Sequence, residues 1–206
     1  LAQNISMKIF GETTFGFRLP SALFGIASVY LVYLIGTRLF SKTTGLLAAA
    51  LLGATANHVY VSRLGIQESY VIFFILLASY LFLKALENDK YLLWTGVAIG
   101  LGLLTKYTTF IVVPVFLTFL AWRKREYLIN KKLWLGAVLA LLIFSPVIIY
   151  NIQLYRAVGH FDFQISYILG QKPEVWKIAP GKEEIGTLGD RLRNFIPTLA
   201  KSNSWI

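Results

Sequence analysis

The chain has 206 residues, of which 56% are hydrophobic and 15% charged, and its mean hydropathy is +0.63. Soluble domains run nearer half apolar and a quarter charged, so disorder, coiled coil and collagen are excluded; the absence of cysteine excludes a disulfide scaffold and a thiolate metal site. The net charge of +10 falls between long apolar runs rather than along one polar face, which argues for an integral membrane protein and against a nucleic-acid binder.

The sequence starts at Leu1 without a methionine and stops at Ile206 in a polar stretch, and we read both ends as truncations. Nothing at the start resembles the charged segment and small-residue cleavage site of a signal peptide. In chain order, the uncharged stretches are Leu19–Thr37, Thr43–Ser62, Ser69–Leu83, Tyr91–Thr105, Tyr107–Trp122 and Leu133–Tyr155. A hydrocarbon core of about 30 Å needs roughly 20 helical residues. The first, second and sixth stretches meet that length alone. The third meets it if Lys84 snorkels to the interface. The fourth and fifth are split only by Lys106: read as one helix they would run about 48 Å, too long for a single crossing without extreme tilt. Two short helices turning at Lys106 fit better, so the expectation is six spans.

Six spans alternate the loops between two sides. One side collects Arg38, Lys42, Lys84, Lys90, Arg123, Lys124, Arg125, Lys131 and Lys132; the other has only Arg63 and Lys106. Cytoplasmic loops retain the excess of lysine and arginine, so the first set faces the cytoplasm. The organisation expected is therefore an all-α polytopic bundle. Residues 1–18 are the end of a first outer loop, 19–155 hold the six spans, and 156–206 form an extracytoplasmic loop. A start outside requires a helix and loop upstream. In the tail, Leu188, Leu192, Phe195, Ile196 and Leu199 recur at helical spacing and suit a surface helix, shortened or kinked by Pro197.

Acidic residues are scarce. Glu87, Asp89 and Glu126 fall in cytoplasmic loops beside basic residues and read as solvated charges. On the outer side, up to the tail, there are only Glu12 and Glu68, with Asp162 just past the last span. Glu68 follows Arg63 by five residues, close enough for the guanidinium to fold toward the carboxylate. That pair is either an interfacial salt bridge, with Glu68 capping the next helix, or a carboxylate facing a ligand pocket. Lys106 is either a snorkelling anchor or a ligand for an anionic headgroup. His58 is a ligand or base, or a single polar contact in the bundle; with no second histidine beside it, no metal site is expected. Gly96 and Gly100 read as close helix packing. Together Arg63, Glu68, Lys106 and His58 form an outward-facing polar patch suited to an anionic amphiphile.

Several motifs then stand in order. Phe17-Arg18-Leu19-Pro20-Ser21-Ala22-Leu23 precedes an apolar span and Arg38-Leu39-Phe40. Ser62-Arg63 is followed by Glu68 and Phe73-Phe74. Gly100-Leu101-Gly102-Leu103-Leu104-Thr105-Lys106 comes next, then Pro146 to Asn151 and Phe161-Asp162-Phe163-Gln164. From about Phe10 to about Gly170 the chain resembles the GT-C membrane glycosyltransferases, in particular the bacterial relatives of protein O-mannosyltransferases and lipid A aminoarabinose transferases. Glu68 stands where that group commonly has Asp.

The resemblance implies a GT-C-type helical bundle in the plasma membrane, its site on the extracytoplasmic face. It implies transfer of a hexosyl or pentosyl unit from a polyprenyl-phosphate donor to a lipid, glycan or protein acceptor, with inversion. It places the acidic general base in the first outer loop, upstream of Leu1. Arg63 and Lys106 are then expected to serve the lipid phosphate, with Glu68, the one catalytic candidate within the chain, orienting one of them or the acceptor, and His58 nearby as a further substrate-binding candidate. No metal ligands are visible, and whether a divalent ion takes part stays open. A transporter or permease fragment is the alternative from another class, and a non-catalytic GT-C-like scaffold a third; polar residues gathered at one face and the lack of an inverted repeat favour the enzyme.

Overall fold

The structure is a computed structural model that describes residues 2–169, together with 171 and 193. Among them the chain is helical, with no strand. The surface helix expected between Leu188 and Leu199 lies outside the described residues, Arg193 apart.

Between residues 2 and 169, nine α-helices follow one another: α1 (Ala2–Phe10), α2 (Thr14–Leu39), α3 (Lys42–Ala54), α4 (Ala56–Leu64), α5 (Glu68–Ala85), α6 (Tyr91–Thr105), α7 (Val112–Arg123), α8 (Lys131–Val158) and α9 (Phe163–Ile168). Short 3-10 segments precede α7 and α8, at Tyr107–Ile111 and Arg125–Ile129. The chain divides into two compact units, Leu1–Ser145 and Pro146–Ile206; α8 starts in the first and ends in the second.

Helices α2, α5 and α8 are each long and apolar enough to cross a membrane, and α3 with α4 counts as a fourth if that bent pair is one span. Tyr91–Thr105 and Tyr107–Arg123 are apolar but shorter. Length and composition therefore support three or four of the six crossings expected. The outward side chains agree with a hydrocarbon surround: Ile26, Leu51, Ile111 and Leu142 are each more than half exposed, an arrangement water would penalise.

The second span differs from the single helix expected. It bends by 61° between α3 and α4. At the joint Thr55 adopts an extended ψ of 120°, and its hydroxyl donates to Leu51 O at 2.7 Å. A threonine that bonds the preceding turn offers the backbone a local alternative to the helical ladder. The break at Lys106, in contrast, falls where the charge pattern puts it: Lys106 is extended (φ −162°, ψ 138°) and ends α6.

Helix α5 lies at the centre, packed on α2, α6 and α7, with Ala78 and Ala85 fully buried. Phe82 stacks on Phe116 of α7 at 4.1 Å between ring centroids. Without a hydrophobic drive between helices in lipid, close packing of small residues holds them. A Cβ at Gly96 would fall 2.1 Å from Gly136 O of α8, and one at Gly100 would fall 2.9 Å from Ala140 O. The G-x-x-x-G thus sets the α6–α8 contact.

One end of this unit is tied by charge. Arg38 pairs with Glu87, Lys132 Nζ with Asp89 Oδ1 at 2.5 Å, and Asn130 Nδ2 donates to Asp89 Oδ2 at 3.0 Å. These contacts join the loop ends that the alternation of basic residues assigns to one side. The Lys132 ammonium, and then the Asn130 amide, hold the Asp89 carboxyl below its usual 3.8 against a smaller opposing effect of burial.

Two outcomes are expected. Gly96→Val in α6 should destabilise the protein by about 2 kcal/mol in a detergent melt, through overpacking, whereas Gly53→Ala, whose new Cβ meets only Val29 side-chain atoms at 3.8–3.9 Å, should change it little. Because the folded Asp89 is more acidic than the unfolded one, its stabilisation is complete above the usual carboxyl range and fades as pH falls through the lowered folded value. The melting temperatures of wild type and Asp89→Asn should therefore differ at neutral pH and converge in acid.

Candidate functional site

The end opposite that charge cluster holds the expected polar residues. Gly65 ends α4 in the left-handed region at φ 72°, which favours glycine, and a Cβ there would sit 2.6 Å from the Phe17 ring. The Gln3 amide also donates to Gly65 O. So the chain reverses tightly after Arg63 and α5 begins at Glu68, its N-terminus fixed to α2 by a hydrogen bond between the buried hydroxyls of Ser21 and Ser69.

Glu68 does not pair with Arg63. Lys106 Nζ lies 2.8 Å from Glu68 Oε1, with the two side chains 30% and 43% exposed respectively. Tertiary structure explains the exchange of partner. Helices α5 and α6 are sequential neighbours packed side by side, so the start of α5 meets the end of α6. Glu68 occupies the first turn of α5 and Lys106 the C-cap of α6, where each helix dipole favours that sign of charge. Lys106 is held in turn by its backbone N–H, which donates to Gly102 O at 2.9 Å. Gly102 is needed for close approach: a Cβ would meet Thr109 Cγ2 at 2.5 Å and Phe74 Cβ at 2.9 Å.

Arg63 is exposed and, among the described residues, has no ion pair or hydrogen bond. It lines an open groove of about 660 Å³ formed by α2, α3 and α4. Arg63, Ser62 and Ala22 stand at one end and Tyr33 and Leu46 at the other, with Ile26, Val29 and Ala49 between. From Ala22 to Tyr33 the groove runs roughly 16 Å along α2 at 1.5 Å per residue, about half the hydrocarbon thickness. His58, 7% exposed, lines it too; its Nε2 contacts Gly25 O at 3.2 Å, while its Nδ1 and the Ser62 hydroxyl are buried without a hydrogen-bond partner.

The four expected residues therefore form two groups: Glu68 with Lys106, and Arg63 with His58 on the groove. A protonated lysine offers three donors, so the Lys106 ammonium, bound once to Glu68, has capacity for an anionic ligand. The Arg63 guanidinium, wholly uncommitted, has more. No group of three His, Asp or Glu side chains suited to a metal ion occurs among the described residues.

In the second unit, Asp162 accepts from Ile165 N at 3.0 Å at the start of α9 and from the buried Asn151 Nδ2 at 3.0 Å, and its own N–H donates to Asn151 Oδ1 at 2.9 Å. The Phe161–Gln164 stretch thus fastens the chain after α8. Sequence reading also passed over the Ser21–Ser69 contact. Its only signal was a serine in each of two apolar segments.

Comparison with known proteins adds the following. The profile of the family described as dolichyl-phosphate-mannose-protein mannosyltransferase matches residues 1–150. YkcB of Bacillus subtilis, whose name makes it a candidate mannosyltransferase, is 34% identical over 73% of this chain and 22% of its own length. YycA of the same organism, similarly named, is 31% identical over 76% of this chain and 22% of its own length. An undecaprenyl phosphate-alpha-4-amino-4-deoxy-L-arabinose arabinosyl transferase of Pseudomonas paraeruginosa is 32% identical over 69% of this chain and 28% of its own length. The chain thus spans between a fifth and a third of the length of these relatives. No solved structure matches it.

A double-mutant cycle on Glu68→Gln and Lys106→Gln should return a coupling of about 0.5–1 kcal/mol in a detergent melt, the range for a half-exposed pair. Purely additive losses would show that the pair does not hold α5 to α6.

Proposed function

The chain belongs to the dolichyl-phosphate-mannose-protein mannosyltransferase family, and from that premise we propose that it is the lipid-carrier-binding part of a membrane glycosyltransferase. The reaction we assign is transfer of a hexosyl or pentosyl unit from a polyprenyl-phosphate donor to a lipid, glycan or protein acceptor, at the outer face of the plasma membrane and with inversion. All six apolar segments cross the bilayer in this reading. Tyr91–Thr105, at about 22 Å of helix, and Tyr107–Arg123 do so where the bilayer thins locally around the bundle.

One observation carries the proposal: an uncommitted guanidinium stands at the head of an apolar groove about one leaflet deep. The groove suits the hydrocarbon of the carrier and Arg63 its phosphate. In the transfer, the bond between the anomeric carbon and the phosphate oxygen breaks. The acceptor oxygen forms the new bond from the opposite face, and its proton passes to a general base that we assign to none of the described carboxylates. Negative charge grows on the departing phosphate. Lys106, held by Glu68 before the reaction, and the uncommitted Arg63 stabilise that charge. Glu68 holds the lysine in place, and His58 lines the groove beside Arg63. The carrier fits one relative's name, which specifies undecaprenyl phosphate.

The test is to supply radiolabelled polyprenyl-phosphate sugars to full-length protein in lipid. Arg63→Gln and Lys106→Gln should each lower turnover by roughly tenfold to a thousandfold, the range for losing one preorganised charge-stabilising donor. Turnover at the wild-type rate in both variants, or labelling of cysteines at positions 63 and 106 only from the cytoplasmic side, would refute the assignment.

A further inference from the structure

A second hollow, of about 490 Å³, lies between α1, the turn at Glu12–Thr13, the start of α2 and the end of α4. Its lining differs from that of the groove. Glu12 and Arg18 are both exposed, and among the described residues neither makes an ion pair or a hydrogen bond, although both border the same space. Thr14 adds a hydroxyl; Phe17, Met7 and Leu64 supply the apolar wall.

The walls are held in place. The Thr13 hydroxyl caps α2 by accepting from Gly16 N at 3.0 Å, and Thr13 N donates to Gly11 O at 2.8 Å. The Phe17 ring rests against Gly65 so closely that a Cβ there would lie within 2.6 Å of it. The hollow also adjoins the groove on the same two helices. Leu64 borders the hollow and Arg63, its neighbour in sequence, the groove; Arg18 borders the hollow and Ala22, one helical turn on, the groove.

We propose that this hollow binds the neutral sugar ring of the carrier-linked donor, with Glu12 and Arg18 as its hydrogen-bonding residues. The chemistry selects that ligand. An anion facing the hollow meets the Glu12 carboxylate, and a cation meets the Arg18 guanidinium. A polyol satisfies both, because each hydroxyl donates to a carboxylate and accepts from a guanidinium. The C–H face of a pyranose then packs on Phe17 and Leu64. The volume lies within the usual range for small-molecule sites. With the chain of the carrier in the groove and its phosphate at Arg63, the sugar falls one helical turn away, at Arg18.

This inference deepens the glycosyltransferase reading and rests on it, so the experiment separates the two. Saturation-transfer NMR with methyl α-D-mannopyranoside is run on full-length protein in an amine-oxide detergent, which carries no sugar headgroup. Saturation should pass to the ring protons with wild type. Glu12→Gln and Arg18→Gln should each weaken binding by about fivefold, the scale of one exposed charge-assisted hydrogen bond, while Glu126→Gln in the opposite loop leaves it unchanged. In the transfer assay the same two variants should raise KM for the donor, with melting temperatures equal to wild type. Absence of saturation transfer with wild type, equal binding in all variants, or displacement of the glycoside by glycerophosphoethanolamine, a zwitterionic headgroup, would overturn the proposal. Turnover without glycoside binding removes the sugar subsite and leaves the enzyme reading; glycoside binding without turnover does the reverse.

Discussion

The antiparallel pairing of α5 with α6 is the constraint on which the rest of the first unit depends. Within hydrocarbon a backbone must satisfy its own hydrogen bonds, so only helix ends are left with open polar groups. Packing the start of one helix against the end of the next brings opposite dipole ends together, and Glu68 and Lys106 complete them with side-chain charges. The other end of the pair is closed by the loop containing Asp89, itself held by Lys132 and Asn130. Glycines at 96, 100 and 102 then allow α8, Phe74 and Thr109 to approach α6.

That arrangement also divides the polar residues by role. A lysine already committed to a glutamate is a positioned but partly neutralised charge. An arginine five residues before the start of α5 would be equally neutralised if Glu68 had turned to it; because α6 supplies the partner, Arg63 keeps its full donor set over the groove. The buried, unpartnered nitrogen of His58 and hydroxyl of Ser62 stand on the same wall, and buried polar atoms without partners are rare in native structures.

Much of this was legible in the sequence, and the exceptions share a cause. Charge marks the ends of α6 at Tyr91 and Thr105, and the turn at Lys106 follows from the length of Tyr91–Trp122; α2, in contrast, begins at Thr14 and carries Arg18 within it. Gly96 and Gly100 announce a close contact by their spacing. What spacing cannot convey is the partner across the fold. Arg63 lies five residues from Glu68 and Lys106 thirty-eight, yet Lys106 forms the bond, because helix pairing rather than chain proximity decides it. The bend at Thr55 was hidden for a related reason: threonine is tolerated in apolar helices, and only the ψ it adopts reveals the break. Glu12 and Arg18 lie on either side of a helix cap, and nothing in their spacing marks a shared hollow.

The 61° joint at Thr55 has one further consequence. The residues on its N-terminal side that face the groove, Leu46, Ala49 and Gly53, are wholly apolar; those on its C-terminal side include His58, Ser62 and Arg63. A straight rod would continue one surface from end to end. Here a single pivot separates an apolar wall from a wall that carries polar and charged side chains, so one bend sets both the direction of the groove and its change of chemistry.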